Sequence, residues 1–259
     1  MMLDALIFDV DGTIADTEET HRQAFNAAFI QFGLWWDWSP QKYAELLAIS
    51  GGKERIEHYI GTLGLPAAEA SRLKGLVPGI HESKTRLFTE LIADGRSPLR
   101  PGVARLIGEA QAAGVRVAIA STTTGANVEA LISAHLGRDG YRRFAVIACG
   151  DQVQAKKPAP DIYRLVLGAL RLPAAACVAF EDSENGVRAA KAAGLYTVAT
   201  PTMWTAAQDL AGADLLLPSL GDRSSPLAPA SAAAIGGPVL TLTELARRLH
   251  AAARLPDAA

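Results

Sequence analysis

The chain has 259 residues, 49% of them apolar and 20% charged, which supports a buried core and excludes an intrinsically disordered chain. With 25 basic and 27 acidic residues the net charge is −2, so no basic surplus points to nucleic acid or an anionic membrane as a partner. The two cysteines, Cys149 and Cys177, are too few for a disulfide scaffold, and their apolar surroundings predict reduced core thiols in an intracellular protein.

From the N-terminus, a β-type run over 3–8 opens the chain and carries acidic residues (Asp4, Asp9, Asp11) where a signal peptide would need a positive charge. No apolar run reaches the length of a membrane span, and the expected location is the cytoplasm. From 16 to 94 the pattern is helical only. These roughly eighty residues are too many for one crossover helix and predict an inserted α-helical cap, residues 16–95. Further apolar runs follow at 115–120, 144–149, 177–180 and 196–199, with a weaker one at 215–217. Alternating with them are Ala-rich amphipathic segments at 102–113, 125–135, 160–170 and 185–193. Runs that are apolar without alternation belong to strands covered on both faces. The expected fold is therefore α/β, a doubly wound, mostly parallel Rossmann-like core over 1–15 and 96–220. Residues 218–238, rich in Ser, Ala, Gly and Pro, read as an irregular linker leading to a short helix over 242–253, so that 221–259 forms a separate C-terminal segment.

In such a sheet, ligands bind outside the carboxyl ends of the strands. The first run ends in Asp9-Val10-Asp11-Gly12-Thr13 and the second in Ser121-Thr122-Thr123-Thr124. The third is followed by Lys156-Lys157-Pro158 and the fourth by Glu181-Asp182. Buried strand ends gain nothing from unpaired charge, which costs several kcal/mol to desolvate. Asp9, Asp11 and Asp182 would repel one another without a cation between them, and an all-oxygen set suits Mg²⁺. Beside such a cation, Asp9 is placed to attack phosphorus and form an aspartyl-phosphate. Asp11 is placed for acid–base work, Ser121 and Lys157 to hold the transferring oxygens, and Glu181 to orient the metal site from behind.

These residues resemble the four motifs of the haloacid-dehalogenase (HAD) superfamily, in order and over nearly the whole core. The resemblance implies that Asp11 offers its main-chain carbonyl to Mg²⁺ and that the helical insertion closes over the substrate. A second aspartate at Asp11 is the mark of its phosphotransferases rather than its dehalogenases. Within the insertion, Glu18, His21, Tyr43, Gly51-Gly52-Lys53-Glu54-Arg55, His81 and Lys84, with Thr122, Thr123 and Asn127 of the core, resemble the CbbY-like phosphatases. That family removes a phosphate from xylulose-1,5-bisphosphate. The resemblance implies a small-molecule sugar bisphosphate, with 51–55, His81 and Lys84 gripping the distal phosphate and sugar hydroxyls; a monomer is expected. Two glycines that let N–H groups approach an oxyanion, beside Lys53, Arg55 and Lys84, agree with that role.

Plainer readings compete at several positions. Asp9-Val10-Asp11-Gly12 lacks the Gly at position six of a calcium loop and follows a strand rather than a helix. Gly51-Gly52-Lys53 fails as a P-loop, because Glu54 stands where Ser or Thr would bind Mg²⁺. Ser121 is equally a helix cap, and Lys156 reads as the surface lysine of its pair. Trp35, Trp36 and Trp38 read as packing rather than a base-stacking platform, and the five histidines show no zinc spacing. A phosphosugar mutase would use the same residues, and a phospho-ligand binding module would need no nucleophile beside its own acid.

Overall fold

A computed structural model describes residues 2–254 of the chain. Residues 255–259, the end of the expected C-terminal segment, lie outside the described residues. Six strands form one parallel sheet: β1 (Ala5–Phe8), β2 (Arg116–Ala120), β3 (Val146–Ala148), β4 (Cys177–Glu181), β5 (Tyr196–Ala199) and β6 (Leu215–Leu216). Their order is β3-β2-β1-β4-β5-β6, a Rossmann-type arrangement. The order reverses between β1 and β4, which opens a crevice at their carboxyl ends.

Both faces of the sheet are covered, as the unbroken apolar runs require. Leu6, Phe8, Val178 and Phe180 face one core cluster, while Ala5, Ile7, Cys177 and Ala179 face the other. Phe8 and Phe180 stack across the β1–β4 pair with centroids 4.4 Å apart. The small side chains on the second face admit α7 (Asp161–Leu170) and α8 (Glu184–Ala192) close to the sheet. The first face is covered by α5 (Val103–Ala112), α6 (Gly125–Leu136) and the C-terminal α10 (Leu242–Ala252).

Between β1 and β2 lie α1 (Glu18–Gln31), α2 (Pro40–Leu46), α3 (Gly52–Thr62) and α4 (Ala67–Ala93). They share an aromatic-rich cluster in which Phe25, Phe29, Trp36, Trp38 and Tyr43 are buried. The chain enters and leaves this helical insertion side by side. The Asp16 N–H donates to Pro98 O and the Arg100 N–H to Ile14 O. Among the described residues, no helix is long and apolar enough to cross a membrane.

Two expectations need correction. The stretch read as an irregular linker contains a helix, α9 (Pro229–Ile235). It starts with Pro at its first position and ends on left-handed Gly236, a start and stop that Pro and Gly favour in that order. Its Ala-rich interior passes for low complexity. Leu227, Ile235, Leu240, Leu245 and Leu249 of this C-terminal part belong to the main core. Of the three clustered tryptophans, Trp36 and Trp38 pack in the insertion, but Trp35 is 80% exposed.

Candidate active site

Asp9 directly follows β1, and its N–H still continues the ladder to Phe180 O. Two residues on, Asp11 turns toward the insertion, while Val10 between them is buried in the core. Gly12 has φ +78°, and any Cβ there would collide with the Asp182 carboxylate. Only glycine lets the β1 loop and the β4 loop approach this closely.

The Lys157 ammonium lies 2.6 Å from Asp9 Oδ1 and 2.6 Å from Glu181 Oε1. Burial opposes its charge, but Asp9 and Glu181 outweigh that and hold it above its ordinary value. The Tyr163 hydroxyl donates to the same Glu181 oxygen. Burial pushes the Asp9 carboxyl up to about 8; Lys157 pulls it down, and Glu181 and Asp11 add to the rise. Asp182 is raised by burial first, then by Asp9 and Glu181, although Thr205 Oγ1 donates to it at 3.2 Å. Three buried carboxylates thus lie together, and the one ammonium beside them pairs with two, Asp9 and Glu181.

That excess of negative charge, in an oxygen-only donor set, fits a hard divalent cation. Oxygens of Asp9, Glu181 and Asp182 lie within 4.8 Å of one another, and Glu181 Oε2 is buried with no partner among the described residues. The Asp11 carboxylate is not in this cluster.

It faces α1 instead. Asp11 Oδ1 accepts from Thr17 Oγ1 at 2.7 Å and contacts His21 Nε2 at 2.9 Å. Burial alone would raise Asp11, but His21, Thr17 and then Lys84 outweigh it and hold the group below the usual carboxylate range. An anionic Asp11 can only accept, so His21 Nε2 carries the proton and Nδ1 is left to accept from Lys84 Nζ, 2.7 Å away. Burial, then the Lys84 charge, depresses His21 itself. Lys84 is brought down to about 7 by burial, while its ammonium lies 4.7 and 5.1 Å from the Phe25 and Phe88 ring centroids. The result is a buried Lys84–His21–Asp11 chain that joins α4 and α1 to the end of β1.

After β2, the Thr123 N–H donates to Ser121 Oγ at 3.3 Å, and Asn127 Nδ2 donates to Thr123 Oγ1 at 2.9 Å. Thr124, not Ser121, caps α6. On the insertion, the Tyr43 hydroxyl donates to Glu18 Oε2 at 2.7 Å and receives Arg55 Nη1 at 3.1 Å.

An open cleft lies between the insertion and the strand ends. Asp9, Asp11, Lys157, Asp182, Thr122, Thr123 and Asn127 line it from the core; Glu18, His21, Gly51, Gly52, Lys53, Arg55, His81 and Lys84 line it from the insertion. Four expected site residues do not form its wall. Ser121 and Glu181 are buried behind it and Tyr43 is fully buried. Tyr43 reaches the cleft only through Glu18 and Arg55, because its aromatic ring belongs to the insertion core. Glu54 sits at the rim, ion-paired to Lys156.

Lys156, read as a surface lysine, in fact lines the cleft, as do Asn185, Thr205 and Gln208. Nothing local could have marked them, because they are polar residues on loops and at the start of α8 that only the folded sheet brings up to the insertion. The basic wall also acts on His81. Burial and nearby Lys84, Lys53 and Lys156 lower it from 6.5 to about 3. In that window the unfolded chain binds a proton that the folded one refuses, so stability falls as pH drops below about 6.5. His81→Gln should flatten this loss. Urea midpoints at about pH 7 and pH 4.5 check it, and an unchanged slope would contradict it.

Comparison with known proteins agrees with this geometry. The family described as haloacid dehalogenase-like hydrolase matches residues 3–194. Protein CbbY (plasmid) of Cupriavidus necator is 51% identical over 225 residues, covering 87% of this chain and 89% of that protein. Protein CbbY of Rhodobacter capsulatus is 48% identical over 229 residues, covering 88% and 99%. A crystal structure of a mutant CbbY from Rhodobacter sphaeroides in complex with xylulose-1,5-bisphosphate superposes with a TM-score of 0.79. It is 48% identical, covering 86% of this chain and 98% of that one.

Proposed function

Because the chain belongs to the haloacid dehalogenase-like hydrolases and is a phosphatase of that family, we propose that it removes one phosphate from a sugar bisphosphate, xylulose-1,5-bisphosphate, through an Asp9 phosphoenzyme with Mg²⁺. The observation that carries this reading is a cleft with cationic groups on both walls. Lys157 stands beside Asp9 on the core side, and Lys53, Arg55 and Lys84 stand on the insertion side. A substrate with a phosphate at each end matches that division, and the relative of known structure holds such a ligand.

Asp9 and Asp182 with the Asp11 main chain would hold Mg²⁺, and Glu181 would orient the site from behind. When bound, the ion supplies positive charge beside the phosphoryl oxygens and lowers the repulsion between them and the carboxylates. Asp9 attacks phosphorus, and Lys157 and the loop 121–123 hold the transferring oxygens. Asp11, held anionic by His21 and Thr17, gains proton affinity when a phosphate dianion sits beside it, because like charges raise a carboxylate pKa. A proton held there passes to the leaving sugar oxygen. The same carboxylate then takes a proton from the water that hydrolyses the phosphoenzyme. The His21–Lys84 chain fixes which way Asp11 points through both halves.

Phosphate release across a panel of sugar mono- and bisphosphates, with Mg²⁺ present, tests the reading. A kcat/KM strongly favouring xylulose-1,5-bisphosphate supports it. A flat profile, or isomeric sugar phosphates accumulating in place of free phosphate, contradicts it. In the same panel Lys53→Ala should raise KM for the bisphosphate about tenfold while leaving that for an aryl phosphate nearly unchanged, because the contact is remote from the chemistry. Equal effects on both substrates would remove Lys53 from substrate recognition.

A further inference from the structure

Three segments at the carboxyl edge of the sheet, two loops and the start of α8, each touch residues 43–54 of the insertion. The Trp204 ring, on the loop after β5, meets the Tyr43 ring edge-on at 5.6 Å. Asn185 Nδ2, at the start of α8, donates to Ala48 O at 2.9 Å and to Ser50 Oγ at 3.3 Å. Lys156 Nζ, on the loop after β3, lies 2.7 Å from Glu54 Oε1. Among the described residues this is the one Lys or Arg to carboxylate pair that joins the insertion to the core.

The pair is set into the seam. The Lys156 side chain is 18% exposed and that of Glu54 45%. Both lie against the backbone of Gly51, where a Cβ would come within 2.7 Å of the ammonium and run into the carboxylate. Gly51 has φ +95°, so a side chain there is strained by the backbone, and it would push the two charged ends aside. Lys156 is also covalently next to Lys157, whose ammonium holds Asp9. A short path, Glu54–Lys156–Lys157–Asp9, therefore ties the loop that starts α3 to the nucleophile.

We propose that Lys156 and Glu54 are positioning residues: their ion pair fixes the separation between the 51–55 loop and Asp9, and so selects substrates that reach from one to the other. The substrate part of this inference rests on the bisphosphate reading. An ion pair at a part-exposed seam is worth little as stability. What it supplies here is register between two bodies, which a long substrate feels and a short one does not.

The test is a charge-swap cycle with Lys156→Glu, Glu54→Lys and the double variant, assayed on xylulose-1,5-bisphosphate and on p-nitrophenyl phosphate. Each single variant should lower kcat/KM for the bisphosphate about tenfold more than it lowers that for the aryl phosphate. The double variant should recover to within about threefold of the wild type. Losses that simply multiply in the double variant, or that fall equally on both substrates, would overturn the proposal. If a reversal does not fold, judged by thermal melting, Lys156→Met and Glu54→Gln complete the same cycle. A wild type that shows no bisphosphate preference fails the substrate reading separately. The cycle then runs on the best substrate of the panel, where coupling or its absence still decides the role of the pair.

Discussion

Asp9→Asn is expected to lower phosphate release by at least about 10⁴-fold, because no other group can take the place of the attacking oxygen. Asparagine keeps the shape and can still accept from Lys157, and its N–H keeps the bond to Phe180 O. The fold therefore survives. Stability should hold or rise, since burial and the neighbouring carboxylates already disfavour charge at this position and the substitution removes one of three crowded carboxylates. A variant with unchanged or higher melting temperature and no turnover is the expected result. Substantial residual turnover would contradict covalent catalysis by Asp9.

The second large effect is at Asp11. Asp11→Asn should lower kcat for a sugar phosphate about 10²–10⁴-fold, the usual worth of a general acid–base group. Its side chain would still accept from Thr17 and His21, which limits the change to proton transfer. The two half-reactions then separate by leaving group. A nitrophenolate departs without protonation, so with p-nitrophenyl phosphate the variant should still form the phosphoenzyme and stall before hydrolysis. The prediction is a burst of nitrophenol equal to the enzyme concentration, followed by a slow steady rate. A uniform slowing without a burst would mean that Asp11 acts before or during phosphoryl transfer alone.

The core of this site is legible in the sequence because strand ends are. Each apolar run stops at polar residues, and the sheet rule sends them to one rim; Asp9, Asp11, Lys157 and Asp182 follow from that alone. The direction of the Asp11 carboxylate does not, since it depends on Thr17 and His21 arriving from α1. Tyr43 shows the limit on the insertion. Its residue type suggests a sugar contact, but Phe25, Trp38 and Trp204 pack about its ring and leave only its hydroxyl to act, through Glu18. Lys156 and Lys157 are alike in sequence and are separated only by what lies opposite each: Glu54 on the insertion for one, Asp9 and Glu181 for the other. Helix α9 was hidden for a different reason. Its Ala-rich interior carries no amphipathic period, and its start and stop residues, Pro229 and Gly236, also mark linkers.

The most direct test is rapid acid quench of the wild-type enzyme turning over xylulose-1,5-bisphosphate, and of Asp11→Asn turning over p-nitrophenyl phosphate, where only hydrolysis is slowed, each followed by peptide mass spectrometry. A phosphoryl group on the peptide that contains Asp9, absent from the Asp9→Asn protein, is the predicted result. A phosphoryl group on another residue, or phosphate released with no labelled peptide at any quench time, would contradict the account.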